Sequence, residues 1–232
     1  MLLSVIFFCI KNNKMKKMII FLLLVLPSSF SHAENYYQVT LLRAAPGNLP
    51  QLIEQVKQHK IKLTGNVSIM RHSQGDHWDL MLLEPVKKNQ FTSLDLKSHA
   101  DFQHEFIVTS ASTWKEIKQL SHTSGIFHIE MFHAVHGKSK ELIKQRNMEN
   151  KYLTLTNRRA NIIFETSFGS DVDSFTIGYY KDMIAFASMP DLPAKVFSKA
   201  ATDAGFKSRD DIGLYLRELI LSHHDTIATN VN

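Results

Sequence analysis

The chain is nearly without cysteine. Its single thiol, Cys9, lies in the first ten of 232 residues. If the N-terminus is removed, the working protein has no disulfide, no thiol nucleophile and no cysteine metal ligand. That is no argument against export, since a chain of this length buries enough core without cross-links. Acidic residues are absent before Glu34, whereas Lys11, Lys14, Lys16 and Lys17 all lie there. The remainder carries 23 basic and 22 acidic side chains, so the formal charge of +5 comes largely from the N-terminus. A nucleic-acid partner has no electrostatic support. The chain also lacks GxGxxG, a phosphate loop, GxSxG and HExxH, the short signatures of dinucleotide sites, nucleotide hydrolysis, serine hydrolases and zinc proteases.

What stands at the N-terminus reads as an address. Lys16 and Lys17 precede the apolar run 18–26, Pro27 breaks it, and Ser31-His32-Ala33 puts small residues at −3 and −1. This is signal-peptide layout, and the apolar run is too short to span a bilayer comfortably. We expect a start at Met15, cleavage after Ala33, a periplasmic or secreted product, and no stable membrane anchor after cleavage. An uncleaved anchor is the alternative.

Beyond the leader the chain echoes itself. Residues 37–55 and 127–145 align without a gap, with five identities in nineteen positions: Ala44/Ala134, Gly47/Gly137, Leu52/Leu142, Ile53/Ile143 and Gln55/Gln145. Alternation at Tyr37, Val39 and Leu41 predicts a strand over 36–45, and Pro46-Gly47 a turn. The stripe Leu52, Ile53, Val56, Ile61 predicts a helix ending before Gly65. Strands follow at 67–72 and 78–83, the second ended by Pro85. Residues 98–104 read as a short helix and 106–109 as a fourth strand, or as one continuous helix. Thr113 and Glu116 have capping-box spacing for a linker helix over 112–120. The second unit repeats the order, with a strand at 127–134, a helix at 138–154, strands at 162–168 and 172–180, a helix closing at Gly205, and an apolar helix from Ser208 carrying Ile212, Leu216, Leu219 and Ile220. Gly75 and Asp79 recur as Gly169 and Asp173, and His104, Ile107 and Thr109 recur as His224, Ile227 and Thr229.

β-α-β-β-α-β is the ferredoxin-like split unit. The expected fold class is α+β, with two tandem ferredoxin-like units packed sheet to sheet as a pseudo-dimeric α/β barrel. We expect residues 1–33 as extension and signal peptide, 34–120 as the first unit with its linker helix, and 121–232 as the second. The pairing predicts a monomer. The aromatic strand followed by Pro46-Gly47 or His136-Gly137 and an amphipathic helix resembles the dimeric α/β-barrel superfamily, in particular its NIPSNAP-like branch. The second unit, through Gln145-Arg146-Asn147-Met148-Glu149-Asn150 and the terminal His223-His224-Asp225-Thr226, is similar to a group of exported bacterial proteins. The resemblance implies the fold and adds oxygen and haem chemistry to the possible activities, since the superfamily includes monooxygenases, haem-degrading enzymes and chlorite dismutases.

Such an architecture puts its natural ligand cavity between the sheets. We assign the more apolar odd faces, Tyr37-Val39-Leu41 and Phe127-Ile129-Met131, to the helices. The even faces, with Gln38, Thr40 and Leu42 from one unit and His128, Glu130 and Phe132 from the other, then look into the barrel. His128 and Glu130 suit a base–acid pair or two metal ligands, or a hydrogen-bonded polar pair at the interface. His223 and His224 continue the apolar arc of the last helix. His224 is a candidate base or haem or metal ligand with Asp225 or Glu105 to orient it, or a structural histidine at a helix C-terminus. The candidate catalytic residues are His128, Glu130 and His224. The candidate ligand contacts are Gln38, Thr40, His104, Glu105, His223 and Asp225. No metal site is assigned; haem or a metal ion stays open as cofactor. The function expected is binding of a small hydrophobic or aromatic molecule between the sheets, with monooxygenase- or haem-related chemistry. The alternative is a non-catalytic periplasmic interaction module.

Overall fold

The structure, a computed structural model, describes residues 35–231 apart from 89, 92 and 97. Cys9, the leader and its cleavage point lie outside the described residues. No helix among those described is long and apolar enough to cross a membrane.

The first unit runs β1 (Asn35–Ala44), α1 (Leu49–Lys62), β2 (Ser68–Gln74), β3 (Leu80–Val86) and β4 (Ala100–Ser110). Helix α2 (Trp114–Thr123) follows, opened by the expected capping box: the Thr113 side chain accepts from the Glu116 backbone N–H, and Glu116 accepts from that of Thr113. The second unit runs β5 (Ile126–Ala134), α3 (Ser139–Leu155), β6 (Ile162–Phe168) and β7 (Ser174–Tyr180). Three helices then intervene, α4 (Met183–Ala187), α5 (Ala194–Ala204) and α6 (Asp211–Leu219), before β8 (Ile220–Asn230). Gly205 stops α5 in the left-handed conformation, φ 111°.

All neighbouring strands are antiparallel, in the closed order β1-β3-β2-β8-β5-β7-β6-β4. Each unit contributes four strands with its first and third at the centre. Seams β2–β8 and β4–β6 join the units, so neither sheet keeps a free edge. The seams explain two glycines. A Cβ on Gly75 would stand 2.1 Å from the Asp225 carbonyl oxygen, and one on Gly169 would stand 3.1 Å from that of Glu105. Each hairpin therefore crosses the last strand of the other unit closely; a side chain does not fit at Gly75 and is crowded at Gly169. The recurring aspartates clamp strand ends: Asp79 accepts from Ala44 N–H at 2.7 Å, and Asp173 from Ala134 N–H at 2.8 Å.

Three local expectations change. Residues 100–110 are one strand, because ten residues of β1 pair with them and long-range pairing outweighs local helix preference. Strand β3 continues through Pro85 to Val86, past Leu83, its last residue paired with β2, where the lost N–H is tolerated. The last helix ends at Leu219. Residues 220–230 form β8, which runs along β5 from Ala134 to Ile126; Thr226, Ile227 and Thr229 suit that pleated setting.

The faces are the reverse of the expected ones. Tyr37, Val39, Leu41, Phe127, Ile129 and Met131 share one buried cluster with Trp78, Phe106, Phe164 and Phe175. These odd-face residues point into the barrel, and an eight-stranded barrel is just wide enough for side chains to fill it. The filling is aromatic: Phe164 stacks on Phe175 at 4.6 Å between centroids, with Tyr37 edge-on to Phe164 at 5.7 Å. Among the described residues the lumen is thus a packed core. The even face carries the helices. Leu52 and Val56 of α1 pack with Leu42, Ile69, Leu80 and Leu82, and Leu142 of α3 packs with Phe132, Leu219 and Ile220. Period two revealed two faces on each strand but did not say which lay inside, since both carry apolar residues.

Candidate functional site

On β5, His128 and Glu130 project from the outer face, beneath α3. Strand β8 lies beside them with Asp225 opposite Glu130 and His223 opposite Phe132. This register gathers a histidine nitrogen and two carboxylates, one ligating atom each, all within 4.8 Å of one another. His128 Nε2 is 3.8 Å from Asp225 Oδ1, and His223 Nδ1 is 3.3 Å from Asp225 Oδ2. The latter approach is close but not aligned as a hydrogen bond, and that nitrogen is shielded from solvent. The His223 ring lies stacked against Phe132. Asp225 is 48% exposed, and His128 and Glu130 much less, so the cluster opens to solvent along β8.

Glu130 is tied from two sides. Thr176 of β7 donates to its Oε2 at 3.1 Å, and Arg146 Nη1 of α3 stands 3.8 Å away. Arg146 is only 2% exposed. A guanidinium so buried needs partners. It donates to Glu149 Oε2 at 2.5 Å and to Gln145 Oε1 at 2.7 Å, and lies over the Phe132 ring at 4.9 Å. Gln145 in turn donates to the Ile212 carbonyl at 3.1 Å, tying α3 to α6. Burial pushes the Glu149 carboxyl up; Arg146 opposes the shift and the negative charge of Glu130 adds to it. Burial also raises the Tyr180 phenol, with Glu130 contributing. Tyr180 lies across Gly178, whose Cβ would stand 2.8 Å from the Tyr180 ring. Phe186 of α4 is edge-on to Tyr180 at 5.2 Å and sits 5.1 Å from the His128 ring.

The same face of the first unit is closed. Gln38 and Thr40 are buried there. Glu105 accepts from Leu94 N–H at 3.0 Å and from the Gln103 amide at 2.9 Å. His59 and Glu84 are joined at 2.8 Å. Burial raises the Glu84 carboxyl, with His59 opposing. Of the predicted ligand contacts, therefore, Gln38, Thr40 and Glu105 sit under the first unit, apart from His128 and Glu130, whereas His223 and Asp225 join them.

His224 does not. On a strand, consecutive side chains point to opposite faces, so His224 projects inward beside Met131, its ring 6.2 Å from that of His133. His104 likewise faces inward, engaged with the Gly169 carbonyl at 2.7 Å. Asp225 lies on the opposite face of β8 from His224, and Glu105 on the outer face of β4, so neither orients the His224 ring. The pairing expected on a helix is lost because the segment is a strand.

Sequence reasoning missed Arg146, Glu149, Thr176, Tyr180 and Phe186 as site residues. One signal was present: Leu142, Arg146, Glu149 and Leu153 follow the 4-3-4 spacing of a buried stripe, where α1 has Leu52, Val56 and His59, with Leu63 at its C-cap. Two charges on the apolar arc of a helix call for buried partners.

A groove of about 540 Å³ adjoins the cluster, sharing Tyr180 and Phe186 and lined also by Arg158, Arg159, Lys181 and Met189. Three further grooves lie on β1–β3, on α5, and between α3 and α6. No histidine lines any of the four, and the inward histidines stand over a filled lumen. The residues present do not fit haem at these places.

No family model matches the chain. No curated protein matches it in sequence. Solved structures do resemble it. An anthrone oxidase-like protein superposes with a TM-score of 0.58 at 9% identity, over 86% of this chain and 92% of the other. A candidate chlorite dismutase gives 0.51 at 13% identity, over 86% and 95%. A candidate monooxygenase from Fusobacterium nucleatum subsp. nucleatum gives 0.51 at 9% identity, over 86% and 94%. These are dimeric α/β-barrel proteins of ferredoxin-like type, and at such identities the likeness is one of fold. The chain has that fold, with both halves of the barrel in one polypeptide.

Proposed function

We propose that this is an exported small-molecule-binding protein whose working surface is the outer, helix-covered face of the second unit. The observation that carries the reading is the gathering of His128, Glu130 and Asp225 at a solvent-open mouth, against a first unit whose matching face is closed by internal bonds. The adjoining groove combines Tyr180 and Phe186 with Arg158, Arg159 and Lys181. That lining suits an aromatic molecule bearing a carboxylate or phenolate, its ring on the aromatic wall and its charge at the cations. The oxidase and monooxygenase names of the fold neighbours make oxygen-dependent oxidation of a phenolic ring the first reaction to test. The pseudo-dimeric chain acts as a monomer, in the periplasm or outside the cell. Pro46-Gly47 and His136-Gly137 support its place beside the NIPSNAP-like branch.

Calorimetric titration with a panel of aromatic carboxylates and phenols tests the binding. Binding that is weakened by Arg158→Glu and by Phe186→Ala, with folding intact, is expected. Inertness across the panel, by calorimetry and by oxygen uptake, overturns the reading. Recovery of the protein from the envelope fraction beginning at Glu34 is the expected result for export; retention of Lys16 removes it. A second reading, an interaction module, is favoured by the exposed apolar side chains of Met183, Ile184 and Met189 on and just after α4. It predicts that replacing His128 and Glu130 alters stability alone.

A further inference from the structure

We infer that His128, Glu130 and Asp225 form a binding site for one divalent first-row transition-metal ion. The inference uses the polar cluster of the proposed ligand site, but it requires no organic ligand. Its test is run with metal alone, so either idea can fail without the other.

The donor set is one imidazole nitrogen and two carboxylates. Nitrogen favours a transition ion over magnesium or calcium, which are held by oxygen. Bonds of about 2.1 Å around one ion put ligand atoms no more than about 4.2 Å apart. The His128 Nε2–Asp225 Oδ1 separation of 3.8 Å already meets that limit, and the 4.8 Å that bounds the whole set needs only a small inward rotation. Asp225, half exposed, is the side chain free to make it.

The surroundings resemble those of a ligand set more than a solvated acidic patch. Each carboxylate has a second polar neighbour, as ligands with outer-shell partners do around metals. Thr176 donates to Glu130. His223 stands 3.3 Å from the second oxygen of Asp225, its ring held against Phe132 and its Nδ1 shielded from water without a hydrogen bond. Glu130 and Asp225 face each other directly across the ladder, a placement of like charges that costs stability without a cation between them. Arg146 stands on the Glu130 side, 3.8 Å away, with Glu149 its closer partner at 2.5 Å. The three protein donors leave coordination positions open on the solvent side, beside the aromatic wall of Phe186. The first unit has no such set: the places of His128 and Glu130 are taken by Gln38 and Thr40.

The test uses the mature chain, stripped with a chelator and titrated with Co²⁺ by visible absorption and with Zn²⁺ by calorimetry. One equivalent is expected to bind, with d–d bands of a nitrogen–oxygen site. His128→Gln and Asp225→Asn should each weaken binding at least tenfold, and His223→Gln by about 10–100-fold, the range for outer-shell partners. His122→Gln, remote on α2, should change nothing. Circular dichroism of each variant establishes that it is folded, and half-exposed Asp225 provides the arm least able to disturb the barrel. Absence of saturable binding overturns the inference. So does binding that survives both His128→Gln and Asp225→Asn, which would assign the ion to other histidines.

Discussion

Glu130 on β5 and Asp225 on β8 stand directly opposite each other on the outer face of the barrel, two carboxylates in one cross-strand pair. Like charges so placed repel, at a cost of some tenths of a kcal/mol to about 1 kcal/mol. In the first unit the matching pair is Thr40 and Glu105, which carries one charge. A position kept at a cost to stability is one where function is to be sought. Asp225→Asn should therefore raise the melting temperature of the metal-free protein by roughly 1–4 °C, while weakening metal binding. Differential scanning calorimetry in chelator checks the first half, and a lower melting temperature contradicts it.

Buried Arg146 pairs with part-exposed Glu149 on α3, and removing one member leaves the other uncompensated. Arg146→Met should cost about 3–5 kcal/mol in urea denaturation. The double change Arg146→Met with Glu149→Leu should cost clearly less than the two single changes together. Additive losses would show that the pair is not coupled.

The Glu84 carboxyl is raised by burial against the opposing effect of His59. The folded chain therefore holds that proton more tightly than the unfolded chain does. This contribution to stability is complete below the ordinary carboxylate range and is lost as pH rises through the raised folded value. Glu149 acts in the same direction. Glu84→Gln keeps an acceptor for His59 and removes the titration. Its stability relative to the parent should improve from pH 4 to pH 8. A difference independent of pH would contradict the assignment.

A packed lumen predicts that its aromatics carry the fold. Phe175→Ala opens a cavity against Phe164 and Phe106 and should cost about 3–5 kcal/mol, whether or not a ligand is present. If a hydrophobic ligand restored that loss in the parent protein's own extract, the lumen would be a binding space after all. Gly75→Ala should also destabilise, through the 2.1 Å approach to the Asp225 carbonyl and a backbone φ of 127°.

Much of the fold was legible because its determinants are local. Alternation at Tyr37–Val39–Leu41, the turn at Pro46-Gly47 and the Thr113–Glu116 capping box each act within a few residues. The recurring Gly75/Gly169 and Asp79/Asp173 were visible as spacing, and the structure supplies their reason: a tight seam and a strand-end clamp. The site was legible only in part, because its parts are distant in the chain. His128 and Glu130 were visible as a pair on one strand face. Asp225 reaches them only when 220–230 is a strand, and the apolar spacing of Leu216, Leu219 and Ile220 reads as helix until β5 pairs with it. Arg146 belongs to a motif visible in the sequence but is a site residue only because α3 covers that face. Which face lies inside depends on closure of all eight strands, a property that no single strand carries.

The proposed binding surface is the outer face of the second unit, and not the barrel lumen. A crystal structure of the protein purified from its own envelope and supplied with Co²⁺, read with anomalous diffraction at the cobalt edge, tests it most directly. We predict an anomalous peak bounded by His128, Glu130 and Asp225, with any co-purified molecule beside Phe186 and Tyr180. A bound group enclosed among Phe106, Phe164 and Phe175, or a cluster without an anomalous peak, would contradict it.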